Sequence, residues 1–543
     1  MFKKHWQTWG FFTLLAGLIL GPLLARGYIL TLDLGWGPHF AVSNVEDNGY
    51  LLTLSLAGLT HVIPSWLVEK LVLASIFVLA GVGMQKFASR NAPGWPSFAA
   101  GTIYVINPFT YERFLAGQWL VLAGYALLPW VMDAHLHVLE RPRLRRAVVL
   151  AAWGTALAVV SLHMIAMAAL AAMALCLAHA WGRWRSLRPA APALGLAVAL
   201  WCVAGIAWLA PTLTHRSATA TAIAGFDADQ LTAFATAPSP FGAPINVLTL
   251  QGFWGGARGF VALASSTGLW FALACLLMAI SVVSGLILAI RQRNRAGLGL
   301  AAAAFAAWVL AVGIAAPGFA SVTHWLIAHV PLYRGYREPE KWVAILALAY
   351  SYLAALCFKA LNERVQGFWR GAAAISAFLL PIIWTPLMLW GAAGQLQSVD
   401  YPASWYQLDQ KLSALAPAPA SDRPDTLILP WHQYMYLDFA RRTVANPAAN
   451  FFSRPVITSN DPELPGVPPP SDNSIATLVQ ENVINRRFFE DNAGIRLSAL
   501  GVHFIVLLKV ADWPSNSWLA AQSDLTLVAE TSDWQLYRTQ DRQ

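Results

Sequence analysis

The chain has 543 residues, of which 57% are hydrophobic and only 12% are charged. A soluble globular protein carries about 25% charged residues, so this composition excludes that class and predicts a polytopic membrane protein. The net charge of +8 does not indicate nucleic-acid binding, because the basic residues cluster in short loops, as they do on the cytoplasmic side of membrane proteins. The four cysteines all lie within apolar runs, which is typical of small buried side chains rather than of disulfides or a metal site.

Long apolar runs predict about eleven transmembrane helices. They cover residues 9–25, 65–85, 95–109, 119–138, 146–163, 164–181, 192–210, 267–290, 297–316, 342–358 and 372–394. With this number of spans, all of the basic loops fall on one side of the membrane, as the positive-inside rule requires. The N-terminus is therefore predicted to be cytoplasmic, and the chain after the last span to be outside.

Outer segments separate several of these runs. Residues 27–64, 211–266 and 317–341 are predicted to be outer loops of a transmembrane domain that covers residues 1–396. After residue 397 the spanning runs stop, and short apolar stretches alternate with polar ones. Residues 503–509 resemble a buried strand, and residues 525–529 and 534–537 a hairpin-like pair. Residues 397–543 are therefore predicted to form a small extracytoplasmic α/β domain.

The first outer loop holds acidic residues close to the predicted membrane boundary. Asp33 stands alone among apolar residues, and Glu46 and Asp47 follow it. Burying an unpaired carboxylate beside a membrane is costly. Two interpretations remain open: ordinary solvated loop acids, or catalytic acids that act on a membrane-bound substrate.

Four short stretches carry a resemblance to a known family. They are LDLGWGP at residues 32–38, NPFTYER with GQW at 107–113 and 117–119, YREPEKW at 336–342, and LGVHFIV at 500–506. With them the chain resembles the GT-C superfamily of polytopic glycosyltransferases, and more narrowly the arabinofuranosyltransferase D-like and YfhO-like membrane proteins. The resemblance covers most of the chain. It implies a GT-C-like fold, a polyprenyl-phosphate sugar as donor and a catalytic acid in the first outer loop.

Transfer from such a donor needs a base that deprotonates the acceptor hydroxyl, positive charge that holds the leaving phosphate, and a groove that admits a lipid tail. Asp33 is placed to be the base, with Glu46 and Asp47 as the alternatives.

The cations of the later outer loop are the candidates for phosphate binding. Arg337 and Lys341 are the first of these, with Arg334 and Arg113 behind them. Arginine suits phosphate because its planar fork offers several donors. The other interpretation of residues 337–341 is an ion-pair cluster that caps the next helix.

Three further residues and a metal complete the candidate site. Glu112 is favoured as the partner of a structural ion pair, and Glu338 belongs to the charged loop. His324 lies on the predicted outer face, but the spacing of the outer histidines follows no metal-ligand pattern. A divalent metal, Mg²⁺ or Mn²⁺, is a candidate cofactor without an assigned ligand set.

The sequence therefore predicts an enzyme of the cell membrane, inner or plasma, that transfers a hexosyl or pentosyl group on the extracytoplasmic face. The expected partners are a polyprenyl-phosphate-linked sugar, a cell-envelope glycan or lipid acceptor, and the bilayer, with no nucleic acid. One alternative is a lipid-linked glycan transporter or flippase, but the charges buried mid-span and related halves that this class favours are not evident. The other alternative is a non-catalytic cell-envelope assembly protein on the same fold.

Overall fold

The computed structural model describes residues 2–182, 184–214, 216–217, 220, 223, 228–257, 268–416, 424–465, 467, 474–487 and 491–540. The chain forms two compact units. The first comprises Met1–Leu24, Asn44–Leu52 and Leu71–Gln395, and the second comprises Ala25–Ser43, Thr53–Lys70 and Leu396–Gln543.

The protein is a multi-pass membrane protein built from apolar helices. Eight helices in the described part of the chain are long and apolar enough to cross a membrane. They are Trp6–Leu24, Ser65–Ser89, Trp119–Glu140, Leu162–Ala180, Leu269–Arg291, Arg295–Ala315, Pro339–Arg364 and Gly367–Trp384. A ninth span is formed if Ala191–Ala204 and Ile206–Leu213 are counted together, although they meet at an angle of 86°.

Two of the eleven predicted spans are shorter helices than expected. The first is the span predicted at residues 95–109, where the structure has the helix Trp95–Val105 with 11 residues. Pro108 cannot continue that helix, and the Asn107 side chain instead accepts a hydrogen bond from the Thr110 amide and begins the separate helix Pro108–Ala116. The second is the helix Leu144–Val160 with 17 residues, about 26 Å at 1.5 Å per residue, which is shorter than a typical hydrocarbon core.

Close helix packing in the first unit depends on a glycine. The helix Leu269–Arg291 packs against Val343–Arg364, and a Cβ atom at Gly285 would lie only 1.9 Å from the carbonyl oxygen of Leu353. Small residues allow two membrane helices to approach to backbone contact. Gly285 is therefore needed for this crossing. The shorter helices of the unit in its described part are Ala243–Leu248, Trp254–Ala257, Pro317–His329 and Leu389–Ala393.

The second unit contains all nine described strands. In chain order these are β1 (Tyr28–Ile29), β2 (Ser398–Val399), β3 (Thr426–Leu429), β4 (Tyr434–Leu437), β5 (Arg442–Ala445), β6 (Val456–Ile457), β7 (Phe504–Leu508), β8 (Leu525–Glu530) and β9 (Trp534–Thr539). The main sheet has the order β6-β3-β7-β9-β8, in which β3 is parallel to β6 and β7, while β9 is antiparallel to β7 and β8. β1 pairs with β2, and β4 with β5, both antiparallel.

The sheet confirms the small C-terminal α/β fold expected from the sequence. Every residue of β7, FIVLL, is buried, as a continuous apolar run in a central strand requires. β8 and β9 form the expected antiparallel pair. The helices of the unit that follow residue 396 are Ala403–Leu415, Ala448–Phe451, Ile475–Asn482 and Ala493–Ala499.

A buried ion pair ties the β1–β2 region to the start of a membrane helix. Glu69 and Lys70, which are almost completely inaccessible to solvent, form a salt bridge of 3.3 Å. Both carboxylate oxygens of Glu69 accept hydrogen bonds from the Ile29 amide, and the Lys70 ammonium donates to the Ser398 hydroxyl. Because a buried charge is tolerated only when it is paired and hydrogen-bonded, this pair fixes where the two strands start.

Candidate functional site

A buried network of charges joins the helix Pro108–Ala116 to the loop before Val343–Arg364. Arg113 is 0% exposed and donates to the side-chain oxygen Oε1 of Gln118 at 2.6 Å and to Glu340 Oε1 at 3.1 Å. Its guanidinium also lies over the rings of Phe109 and Phe253. The other Glu340 oxygen, Oε2, is buried and has no hydrogen-bond partner among the described residues. Arg113 is thus the main compensating charge for Glu340.

Glu338 is the carboxylate of this network that lines a cavity. Its carboxylate accepts hydrogen bonds from Lys341 at 2.8 Å and from the Trp254 indole at 3.2 Å, and lies 3.8 Å from the Arg113 guanidinium. Burial tends to raise the pKa of Glu338, but Lys341 and Arg113 outweigh it and hold that pKa well below its usual range. Glu338 is therefore an ionised carboxylate and a weak base.

Glu112 contributes to the network in a different way. Its two oxygens accept hydrogen bonds from the backbone amides of Gly252 at 3.4 Å and Phe253 at 3.2 Å. Burial raises the pKa of Glu112 to about 8, against the opposing effects of Arg113 and of the two amides. Gly252 has a φ of +133°, and a Cβ atom there would lie 2.8 Å from the Thr236 methyl group. Glu112 therefore holds the loop at Gly252 by hydrogen bonds, and the backbone conformation of that loop requires glycine at position 252.

A cavity of about 600 Å³ opens beside this network. Arg334, Arg337, Lys341 and Glu338 line its polar part, together with His163. Arg334 and Arg337 are exposed, and the Arg337 guanidinium lies 4.6 Å from the Phe234 ring.

The remaining wall of this cavity is mostly apolar. Trp201, Trp208, Leu209 and Leu213 contribute to it, and they come from the two helices that meet at 86° around Gly205. A span broken at this point leaves room that a straight helix would fill. A cavity with cations on one side and an apolar wall on the other suits an amphiphilic anion such as a lipid phosphate.

Hydrogen bonds fix the loop that carries these cations. His163 Nε2 lies 3.1 Å from the Gly335 carbonyl oxygen, and the Tyr336 hydroxyl donates to the carbonyl oxygens of Leu162 and His163 at 3.4 Å. Tyr336 also packs on Trp342, with ring centroids 5.5 Å apart. The loop residues at the cavity are therefore held against the start of the helix Leu162–Ala180.

Asp33 belongs to the second unit. It lies in a tight turn, closed by reciprocal backbone hydrogen bonds of 3.0 Å between Thr31 and Leu34. The Tyr434 hydroxyl donates to Asp33 Oδ1 at 3.0 Å. Tyr434 is 401 residues further along the chain, so no sequence spacing could indicate this contact. The hydrogen bond orients the carboxylate.

The glycines around Asp33 are required by close packing. A Cβ atom at Gly35 would lie 2.8 Å from the Ala445 carbonyl oxygen, and one at Gly37 would lie 2.1 Å from the Asn450 carbonyl oxygen. The indole of Trp36 donates to Ser65 at 2.8 Å. The segment LDLGWGP is therefore held against the C-terminal part of its unit.

The other predicted acids and the predicted histidine have surface positions. Glu46 is exposed, and Asp47 accepts a hydrogen bond from the Asn44 amide at 3.2 Å within a turn of the first unit. His324 is exposed on the helix Pro317–His329, which also exposes Trp325, and it does not line the cavity. No group of three or more His, Cys, Asp or Glu side chains in the described part of the chain could hold a metal ion.

The second unit holds a further polar group that the sequence did not single out as a cluster. His432 follows β3, Glu463 follows β6 and Asp512 follows β7. The Nδ1 atom of His432 lies 2.8 Å from Glu463 Oε1, and Nε2 lies 2.7 Å from Asp512 Oδ1. The hydrogen bond to Glu463 and that to Asp512 raise the pKa of His432 to about 9, against its partial burial.

Comparison with solved structures identifies the fold. The structure is similar to arabinofuranosyltransferase AftD from Mycobacteria, with a TM-score of 0.61 and 16% sequence identity over 98% of this chain. The chain has a GT-C-type fold. It spans 40% of the length of the AftD chain it matches.

Two other similarities are weaker. The oligosaccharyltransferase from Archaeoglobus fulgidus gives a TM-score of 0.44 at 13% identity over 92% of this chain and 65% of that one. ArnT from Cupriavidus metallidurans gives 0.37 at 12% identity over 97% of both chains. No protein-family model and no curated protein matches the sequence.

Proposed function

We propose that this protein is a membrane glycosyltransferase that uses a polyprenyl-phosphate sugar as donor and a glycan or lipid of the cell envelope as acceptor. The cavity of the first unit, with its basic and apolar sides, is the observation that carries the proposal. The GT-C-type fold is consistent with it. Because AftD is by name an arabinofuranosyltransferase, a polyprenyl-phosphate pentose is the first donor to test.

The donor phosphate would bind to the exposed cations of the cavity. Arg334 and Arg337 offer guanidinium forks that match phosphate geometry, and Lys341, fixed by Glu338, adds a third positive charge. The apolar wall around Trp201 and Trp208 would hold the first part of the lipid. Arg113 is fully buried and would act indirectly, by holding Glu340 and Glu338 in place.

Asp33 remains our proposal for the general base. Its carboxylate would take the proton of the acceptor hydroxyl while that oxygen attacks the anomeric carbon. The bond between the anomeric carbon and the phosphate oxygen breaks, and its electron pair leaves with the polyprenyl phosphate. Tyr434 would orient the carboxylate, and Glu46 and Asp47 are the alternative bases.

The test is sugar transfer in proteoliposomes at matched amounts of folded protein. Asp33→Asn should lower turnover by about 10²–10⁴-fold, the usual effect of removing a positioned base, while Asp47→Asn should leave it nearly unchanged. Arg337→Ala should raise KM for the donor and lower kcat, and Arg337→Lys should restore only part of both, since an ammonium lacks the fork. Full turnover by Asp33→Asn would move the base to Glu46 or Asp47. Full turnover with all three acids amidated would refute the proposal.

The extracytoplasmic location of the chemistry is also a proposal, supported by the basic loops. A reporter fused after residue 185 should behave as cytoplasmic, and one fused after residue 420 as exported. Identical behaviour of the two reporters would contradict this orientation.

A further inference from the structure

A second polar cavity lies at the other end of the same helix bundle. Trp119–Glu140 starts beside Gln118, which belongs to the charged network of the candidate site, and its 22 residues extend for about 33 Å. At its far end a cavity of about 350 Å³ lies between this helix, the helix Leu144–Val160 and Lys86. This second cavity is called the basic pocket below.

The basic pocket has a strong excess of positive charge. Four cations line it, Lys86, Arg143, Arg145 and Arg146, against one carboxylate, that of Asp133. Asp133 is almost fully buried and is already paired with Lys86 at 3.1 Å and with Arg90 at 3.0 Å.

The four cations differ in their contacts among the described residues. The Arg146 guanidinium donates to the carbonyl oxygens of His137 and Arg141. Within the part of the chain that the structure describes, no hydrogen bond or ion pair of the Arg143 or Arg145 side chain is found. The pocket therefore contains two exposed guanidinium groups that form no ion pair with the residues that the structure describes.

The walls of the basic pocket are aromatic and apolar. Trp130 and Trp153 stack with ring centroids 5.0 Å apart, and the Lys86 ammonium lies 4.9 Å from the Trp130 ring. Val149 lines the pocket, and Leu144 and Val148 are exposed on the same helix. An apolar helix surface next to a cationic recess offers one place for acyl chains and another for a phosphate.

We propose that the basic pocket binds the headgroup phosphate of an anionic phospholipid. Arg143 and Arg145 would contact the phosphate, and the acyl chains would lie along the exposed apolar side of Leu144–Val160. Basic pockets between membrane helices on the cytoplasmic side are typical sites for such headgroups. The positive-inside rule accounts for the number of cations in this region. It does not account for their convergence on one recess beside two stacked tryptophans. The proposal does not depend on the proposed transferase activity.

The test compares lipid binding by two variants with equal loss of charge. The full chain is purified in detergent and titrated with phosphatidylglycerol or phosphatidylcholine, and native mass spectrometry gives the Kd of the first bound lipid. In the double variant Arg143→Gln/Arg145→Gln, affinity for phosphatidylglycerol should fall by about 30-fold, at about fivefold for each cation removed near a phosphate. The control Arg291→Gln/Arg293→Gln removes two exposed arginines outside the pocket and should change affinity by less than about twofold.

Several outcomes would overturn the proposal. These are an equal loss in both double variants, no preference of the wild-type protein for phosphatidylglycerol over phosphatidylcholine, or displacement of the lipid by glycerol phosphate at equal concentration. The last result would assign the pocket to a soluble phosphate compound. If the Arg143→Gln/Arg145→Gln variant does not fold, the two single variants replace it, each with an expected loss of about fivefold.

Discussion

Replacing Arg113 by methionine should destabilise the protein, because the change leaves buried carboxylates without their compensating charge. Methionine keeps much of the side-chain length but donates no hydrogen bond. Glu340, which is 1% exposed, would lose its ion pair with Arg113 at 3.1 Å, and the Gln118 side chain would lose a hydrogen bond of 2.6 Å. Removing one partner of a buried pair typically costs about 3–5 kcal/mol, and we expect an unfolding free energy lower by about that amount.

The same reasoning predicts that a second substitution restores much of the loss. Glu340→Gln alone should cost less than Arg113→Met, since an amide without its partner is easier to bury than a charge. The double variant Arg113→Met/Glu340→Gln should be more stable than the sum of the single effects predicts, by about 1–3 kcal/mol. Arg291→Met, at an exposed position, serves as the control and should change stability by less than about 0.5 kcal/mol.

The assay is equilibrium unfolding of the purified protein in mixed detergent micelles, followed by tryptophan fluorescence. Independent effects in the double variant would refute the direct coupling of Arg113 and Glu340. An Arg113→Met variant as stable as the control would refute the conclusion that this guanidinium supports the charged network.

Three other predictions concern close packing and pH. Gly37→Ala would place a methyl group 2.1 Å from a backbone carbonyl oxygen and should cost about 1–3 kcal/mol of stability, whereas Gly58→Ala, which has open space, should cost much less. Gly285→Ala would place a methyl group 1.9 Å from the Leu353 carbonyl oxygen and should lower the melting temperature. An unchanged melting temperature would mean that the two helices can move apart without cost. The pKa of His432 in the folded state is raised to about 9. The contribution of the charged imidazole to the free energy of unfolding should therefore be complete below about pH 6.5 and lost as pH rises through 9. After solvent screening, we expect this loss to be about 1 kcal/mol. Thermal unfolding from pH 6 to 10 measures this loss, and His432→Gln should remove it; the same pH slope in both proteins would contradict it.

The membrane fold could be predicted from the sequence because its signal is local. A continuous apolar run is enough to identify the helix Leu269–Arg291, predicted at residues 267–290, and the buried run FIVLL identifies β7. The differences from the sequence prediction arise at helix ends. A run that continues through Ile106 predicts one long helix, yet the Asn107 side chain accepts a hydrogen bond from the Thr110 amide, and a new helix starts there. Hydropathy does not report such a cap.

The candidate site could be predicted only where its residues are neighbours in sequence. The motif YREPEKW brings Arg337, Glu338 and Lys341 together within five residues, so their association was visible. The apolar wall of the cavity could not be predicted from the sequence, because Trp201 and Trp208 have the pattern of ordinary membrane-helix residues. The bend at Gly205 brings them to the cavity. The hydrogen bond between Tyr434 and Asp33 was hidden for a related reason: it joins residues 401 positions apart.

The charged residues of the motif YREPEKW differ in burial, and this difference predicts different roles for them. Pro339–Trp342 form a 3₁₀ turn, in which residues three apart share a face. Glu338 and Lys341 therefore meet at 2.8 Å, while Glu340 points to Arg113 inside the protein. Arg337 stays exposed on the cavity side. A change at Glu340 should therefore act on stability, and a change at Arg337 on ligand binding. The sequence left two interpretations of this motif open. The ion-pair cluster before a helix is found at Glu338, Glu340 and Lys341. Arg337 lies at the cavity, where we propose that a phosphate binds.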